Sequence, residues 1–384
     1  MSNYHRDCKI GGVLLKERVK KYNVLEVAPL NKPLGIKGYS PIELVLSSVA
    51  EGLPKLKDRK ITSYILAAKG SNGKNVIETV EAFGNWHGVE DKKFRDSYHE
   101  HFRKIDDLTD INIIHNHTVE LPEFNIAQRL RIPIVNTVHI SYKENTMGSL
   151  NKEGNFYVAI SESHKRELEK RGIHVSRVVY NGINVREIFF DEKKEDYLLS
   201  IGRITSDKGQ DVAIKAAKKA GQKIVIAGLV QKKPADQSYF RNEILPYIDL
   251  HVDFENAPSK GMETLLATKK QVIYCGEVGK SKYELYKKAK ALIFPIQWEE
   301  PFGLVMVEAL ASGTPVLAYN RGSVPEIVEH GKSGYVFDSN LEDLVQGIKE
   351  IDKISHYNCR KRAENFSNER MVEGYANFFE EILF

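Results

Sequence analysis

The chain has 384 residues, 42% of them hydrophobic and 28% charged, with a formal net charge of +4. That length exceeds one ordinary core and predicts two domains of a soluble globular protein. The mild positive charge suits anionic substrates, and the absence of a basic patch interleaved with aromatics argues against nucleic acid. Cys8, Cys275 and Cys359 are far apart and form no C-x-x-C, so neither a disulfide framework nor a zinc site is expected. No signal-peptide core and no membrane-length apolar run occurs, which predicts a cytoplasmic protein.

Residues 1–21 read as an N-terminal extension. Within it, LLKERVKKY (14–22) is open between a solvated helix, a flexible arm and a segment with weak membrane-surface contact. Short runs rich in Val, Ile and Leu then alternate with charged stretches of helical period. Candidate strands are 24–28, 61–68, 111–115, 134–138, 156–160 and 178–180, followed by 197–201, 223–227, 272–275, 291–294 and 315–319. This alternation predicts parallel sheets covered on both faces. The series breaks at 183–196, where VREIFFDEKKED reads as a linker.

His115 and His117 (IIHNHT) end one candidate strand and His139 ends the next. The H-x-H spacing invites a metal, but the sequence offers no third ligand nearby. A strand and glycine turn at YLLSIGRITSDKG (197–209) carry Arg203 and Lys208 into a helix of small residues. Arg grips two oxygens at once and Lys supplies a point charge, a pair suited to a diphosphate; surface charges are the other reading. Gly202 belongs to no G-x-G-x-x-G, which weighs against a dinucleotide dehydrogenase. In FPIQWEEPFGLVMVEALASGTPVLAYNRGSVPE (294–326), Glu300 and Glu308 bracket the turn Pro301-Phe302-Gly303. On one continuous helix they would face nearly the same way, about two turns apart. A turn leading into a helix offers free N–H groups and a positive dipole end to an anion. Anion-binding amides beside two acceptors for hydroxyls suit a sugar attached to a diphosphate.

This last string resembles the E-x7-E element of retaining nucleotide-sugar glycosyltransferases of family four. It is in register at Pro301, Phe302, Gly303, Glu308, Ala309, Gly313, Pro315, Gly322, Pro325 and Glu326. The Arg203 and Lys208 string resembles the same family's cationic element. Parts of the second half are similar to a branch that contains a tetrahydrobiopterin glucosyltransferase. The resemblance implies an α/β GT-B fold, with two Rossmann-like doubly wound parallel-sheet domains facing across a cleft. It places an acceptor-side domain at 22–190, a nucleotide-sugar domain at 191–362 and a helix at 363–384 that packs back on the first domain.

The resemblance also implies roles. Arg203 and Lys208 would stabilise the leaving diphosphate, Glu300 would hold hydroxyls of the donor sugar, and Glu308 would accept from the ribose. Backbone N–H groups of Phe302, Gly303 and Leu304 would contact sugar and phosphate, while Gly228 and Val278 would frame the base; glycine turns ending strands are an equal reading of those two. His139 would lie near the sugar's primary hydroxyl, on the acceptor side. His117, Ser161 and Asn181 would be architectural, and Glu326 an orienting residue or a helix cap. The loop Leu34 to Glu43 departs from the family: Ser40 and Pro41 stand where paired glycines approach the diphosphate, and proline has no N–H to donate. Gly38 would then serve the donor, with Lys37 and Tyr39 on the acceptor side.

The implied activity is metal-independent, retaining transfer of a hexosyl group from a nucleotide diphosphate sugar, such as UDP-glucose, to a hydroxyl of a small molecule or glycan. No cofactor is expected. Two alternatives on the same architecture are a sugar-nucleotide 2-epimerase and a weakly catalytic nucleotide-sugar-binding module.

Overall fold

The computed structural model describes residues 5–10, 13–18, 20–35, 41–82, 92–118, 131–140 and 154–384. The chain divides into two compact units. The first comprises Met1–Ile160, Lys165–Gly182 and Asn368–Phe384; the second comprises Ser161–His164 and Ile183–Ser367.

Two antiparallel strands, β1 (His5–Ile10) and β2 (Val13–Arg18), come first. Residues 13–18 are therefore strand, not a basic helix or arm. The first unit's main sheet uses β3 (Lys20–Val27), β4 (Arg59–Ala67), β5 (Val76–Glu78), β6 (Ile113–Asn116), β7 (Ile134–Thr137), β8 (Asn155–Ala159) and β9 (Arg177–Val178). The order is β5-β4-β3-β6-β7-β8-β9. Every pairing is parallel. Pro41 starts the helix Pro41–Gly52, where its missing N–H costs nothing. The helix Asn368–Leu383 belongs to this unit although it follows the second one in sequence. It buries Met371, Val372, Tyr375 and Phe379 against Tyr22, Val24 and Val135. Arg59 ties it to β4, with Nε 2.6 Å from Glu380 and Nη1 2.8 Å from Glu373.

The second unit has β10 (Leu198–Ile201), β11 (Ile224–Ala227), β12 (Leu250–His251), β13 (Val272–Tyr274), β14 (Ala291–Phe294), β15 (Val316–Tyr319) and β16 (Gly334–Phe337). Its order is β12-β13-β11-β10-β14-β15-β16, again all parallel. β10, β11, β14 and β15 are buried along their whole length, as uninterrupted apolar runs covered by helices must be. Residues 183–196 do not behave as a loose linker. Ile183 N–H donates to Phe366 O at 3.0 Å, a 3₁₀ turn covers Val185–Glu187, and Ile188 is buried. Among the described residues, no helix is long and apolar enough to cross a membrane.

Candidate active site

The chemistry-bearing residues of the second unit gather at the carboxyl ends of β10 and β14. These strands are neighbours although β11, β12 and β13 intervene in sequence. Connections leave the pair in opposite directions, and open parallel sheets bind ligands at such a switch point. After β10 the chain passes Gly202 and Arg203 and enters the 3₁₀ turn Ser206–Lys208. Gly209 closes it at φ +69°, and a Cβ there would lie 2.2 Å from Pro295 O. Only glycine lets this turn rest on the segment after β14. Gln297 N–H donates to Asp207 O at 2.8 Å and fixes the register.

That contact brings Lys208 to Glu300. Lys208 Nζ lies 2.5 Å from Glu300 Oε2, and Trp298 Nε1 donates to the same oxygen at 3.1 Å. The ammonium also sits 5.2 Å from the Trp298 ring centroid. Arg203 is exposed on the same turn, its carbonyl held by Gln210 Nε2 at 2.8 Å.

Glu300 is not on a helix with Glu308. Gly303 takes φ +79° and starts the helix Leu304–Ala311, so Glu300 lies in the turn before it. Three donors clamp that turn by its carbonyls. Ser323 N–H donates to Glu300 O at 2.9 Å, Ser161 Oγ to Pro301 O at 2.6 Å, and Ser323 Oγ to Phe302 O at 2.7 Å. With its carbonyls engaged this way, the turn presents a fixed backbone to the first-turn N–H groups at Gly303 and Leu304, which have no intrahelical acceptor. Phe302 is buried, edge-on to Phe366. Glu326 is a cap: its carboxylate accepts from the N–H groups of Glu162 at 2.9 Å and Ser163 at 2.6 Å.

Glu308 lies in the middle of the Leu304–Ala311 helix, 2% exposed. Lys282 Nζ is 2.5 Å from its Oε1, and Tyr286 OH donates to its Oε2 at 3.1 Å. Gly228 follows β11 and donates to Gly276 O at 2.6 Å; a Cβ on it would fall 1.7 Å from Gly202 O. Val278, buried, precedes the 3₁₀ turn Gly279–Ser281 beyond β13. The backbones of Gly202, Gly228 and Gly276 thus meet beyond β10, β11 and β13, at the same carboxyl end of the sheet as Lys208 and Glu300. Trp298, Ser323, Lys282 and Tyr286 were not singled out in the sequence. A visible signal was the Lys282 and Tyr286 spacing, which places both on one helix face.

In the first unit, β3 and β6 are the switch-point pair, and Glu26 lies in register with His115. Glu26 supplies the third potential ligand that the H-x-H sequence lacked: Glu26, His115 and His117 are fully enclosed with converging atoms. Their atoms are in direct contact. Glu26 Oε2 is 3.0 Å from His117 Nε2 and 2.8 Å from His115 Nδ1. Ligands of one tetrahedral zinc sit about 3.3 Å apart or more, wider than these contacts; the His117–Glu26 contact is a hydrogen bond, while His115 Nδ1 approaches the same oxygen without hydrogen-bond geometry. The chain of contacts runs on from His117 Nδ1 to His139 Nε2 at 2.9 Å, and from His115 Nε2 through Thr137 Oγ1 to Tyr375 OH at 2.8 and 2.9 Å. Burial drives the Glu26 carboxyl up and both His115 and His117 down to about 3. His139 is half-buried. Lys37, Gly38, Tyr39 and Ser40 lie outside the described residues.

Residues 43–187 match the model of Glycosyltransferase Family 4, and residues 184–369 match Glycosyl transferases group 1. The chain belongs to glycosyltransferase family four. It is 24% identical over 201 residues to spore coat protein SA of Bacillus subtilis, covering 48% of each chain. The chain spans about half the length of the curated relatives it matches. Its fold is that of solved GT-B glycosyltransferases. A sucrose-phosphate synthase from Thermosynechococcus elongatus superposes with TM-score 0.70 at 15% identity, over 94% of this chain and 99% of that one. The Anabaena protein HepE in complex with UDP-glucose does so with TM-score 0.66 at 16% identity, over 94% and 99%.

Proposed function

We propose that the protein transfers a hexosyl group from a UDP-hexose such as UDP-glucose to a hydroxyl acceptor, with retention and without a metal ion. The observation that carries this reading is the meeting of Lys208 with Glu300 at the β10 and β14 switch point, beside the start of the Leu304–Ala311 helix. Lys208, Arg203 and the first-turn amides supply positive potential where a diphosphate leaving group gains charge. Glu300 and Glu308 supply acceptors for sugar and ribose hydroxyls. Gly228 and Val278 frame the base, Gly38 serves the donor, and His139, Lys37 and Tyr39 serve the acceptor side. The C1–O bond to the diphosphate breaks, a new C1–O bond forms on the same face, and the acceptor's hydroxyl proton passes to the departing phosphate oxygen. This uses positioning and electrostatics rather than a strong base. Likeness to a fold solved with UDP-glucose supports the choice of donor.

The test incubates the full chain with UDP-, GDP- and ADP-hexoses and an acceptor panel in the presence of a chelator. Release of UDP with a product of unchanged anomeric configuration is expected. Epimerised sugar nucleotide without acceptor, or nucleotide binding with no turnover on any acceptor, would overturn the reading.

A further inference from the structure

Glu308 is gripped by two side chains to which the proposed reaction assigns no role. Lys282 and Tyr286 stand four apart on the helix Lys282–Lys288, so they share a face. Each takes a different oxygen of the carboxylate: Lys282 Nζ on Oε1 at 2.5 Å, Tyr286 OH on Oε2 at 3.1 Å. Lys282 is itself buried, 7% exposed, with its ammonium 5.1 Å from the Tyr283 ring centroid. A carboxylate has about four lone-pair sites. With one donor on each oxygen, each oxygen retains further acceptor capacity. Such a pair of acceptors matches a vicinal diol.

We propose that Lys282 and Tyr286 are positioning residues that lock Glu308 in this two-acceptor orientation and thereby set the discrimination between ribonucleoside and 2′-deoxyribonucleoside diphosphates. The inference rests on the reading of Glu308 as the ribose acceptor. A missing hydroxyl leaves a buried acceptor unpaired, and the penalty stands only if the carboxylate cannot turn toward the remaining hydroxyl. Turning it would break a charge-assisted bond to Lys282. Lys282 also compensates the enclosed negative charge, so the acceptor is ready before the sugar arrives.

The experiment titrates the full chain calorimetrically with UDP, ADP and GDP, each beside its 2′-deoxy form. The wild type is expected to bind one ribonucleotide about ten- to a hundredfold more tightly than its deoxy form. Lys282→Met is expected to cut that ratio to below about threefold, Tyr286→Phe to an intermediate value, and Lys282→Arg to keep most of it. A merely structural pair would weaken both nucleotides in parallel and leave the ratio unchanged, which overturns the inference. If Lys282→Met does not fold, a wild-type ratio in Tyr286→Phe overturns it equally. Failure of the wild type to bind any of the three diphosphates would instead overturn the nucleotide site. Equal binding of both sugar forms by the wild type would remove Glu308 from the ribose.

Discussion

Gly322 lies flat against the peptide of Glu300: a Cβ built on it would sit 2.3 Å from Glu300 O and 2.4 Å from Glu300 N. Its N–H donates to Glu299 Oε2 at 2.6 Å, and φ is +59°. Gly322→Ala combines a left-handed backbone with an overpacked contact, together about 2–4 kcal/mol. The urea midpoint should fall accordingly, and activity should fall further than stability does, because the turn holding Glu300 must shift. An unchanged midpoint would mean that the two turns do not rest on each other.

Lys208→Met removes the ammonium from the switch point and leaves the enclosed Glu300 without its ion-pair partner. Donor kcat/KM is expected to drop about 10²- to 10³-fold. Initial rates with saturating acceptor check this. Full turnover would remove Lys208 from the transferring diphosphate.

His101 is buried, with burial driving its pKa down to about 3, and it lies outside the Glu26 cluster. The folded state therefore holds it neutral while the unfolded chain protonates it below about 6.5. Stability from this group is fully present above that value and is lost as pH falls toward the folded pKa, at about 1 kcal/mol per pH unit. Melting temperature measured from pH 7.5 down to about pH 5 should fall in the wild type and fall less steeply in His101→Phe. Parallel slopes would show that His101 takes up a proton in the folded state.

Phe379 is fully enclosed between the Asn368–Leu383 helix and the first unit's sheet, edge-on to His115. Phe379→Ala should cost about 3–5 kcal/mol, read by chemical denaturation. A cost near zero would place the helix off that core.

The strands that build both switch points were legible because each is a short run of Val, Ile and Leu bounded by glycine or charge. β5, β12 and β16 were not: two to four residues at or near a sheet edge carry no periodicity. Glu300's place off the helix was visible in principle, since Pro301 pushes the preceding residue out of the helical region. Eight-residue spacing suggested otherwise, and the left-handed Gly303 decided it. Glu26 and Lys282 escaped for a different reason. Each meets its partners only through strand register or helix packing between distant segments. An isolated acid in a strand and one lysine among many give no local signal.

The Asn368–Leu383 helix has a consequence for biosynthesis. The first unit cannot close its core until residues 183–367 have been made, because Tyr375 and Phe379 arrive after them. During translation the β3 and β6 face, shared with Val45, Val49 and Leu53, waits only partly covered, an aggregation hazard that chaperone capture would relieve. Nascent chains arrested before residue 368 should therefore stay protease-sensitive in the first unit, whatever state the second has reached.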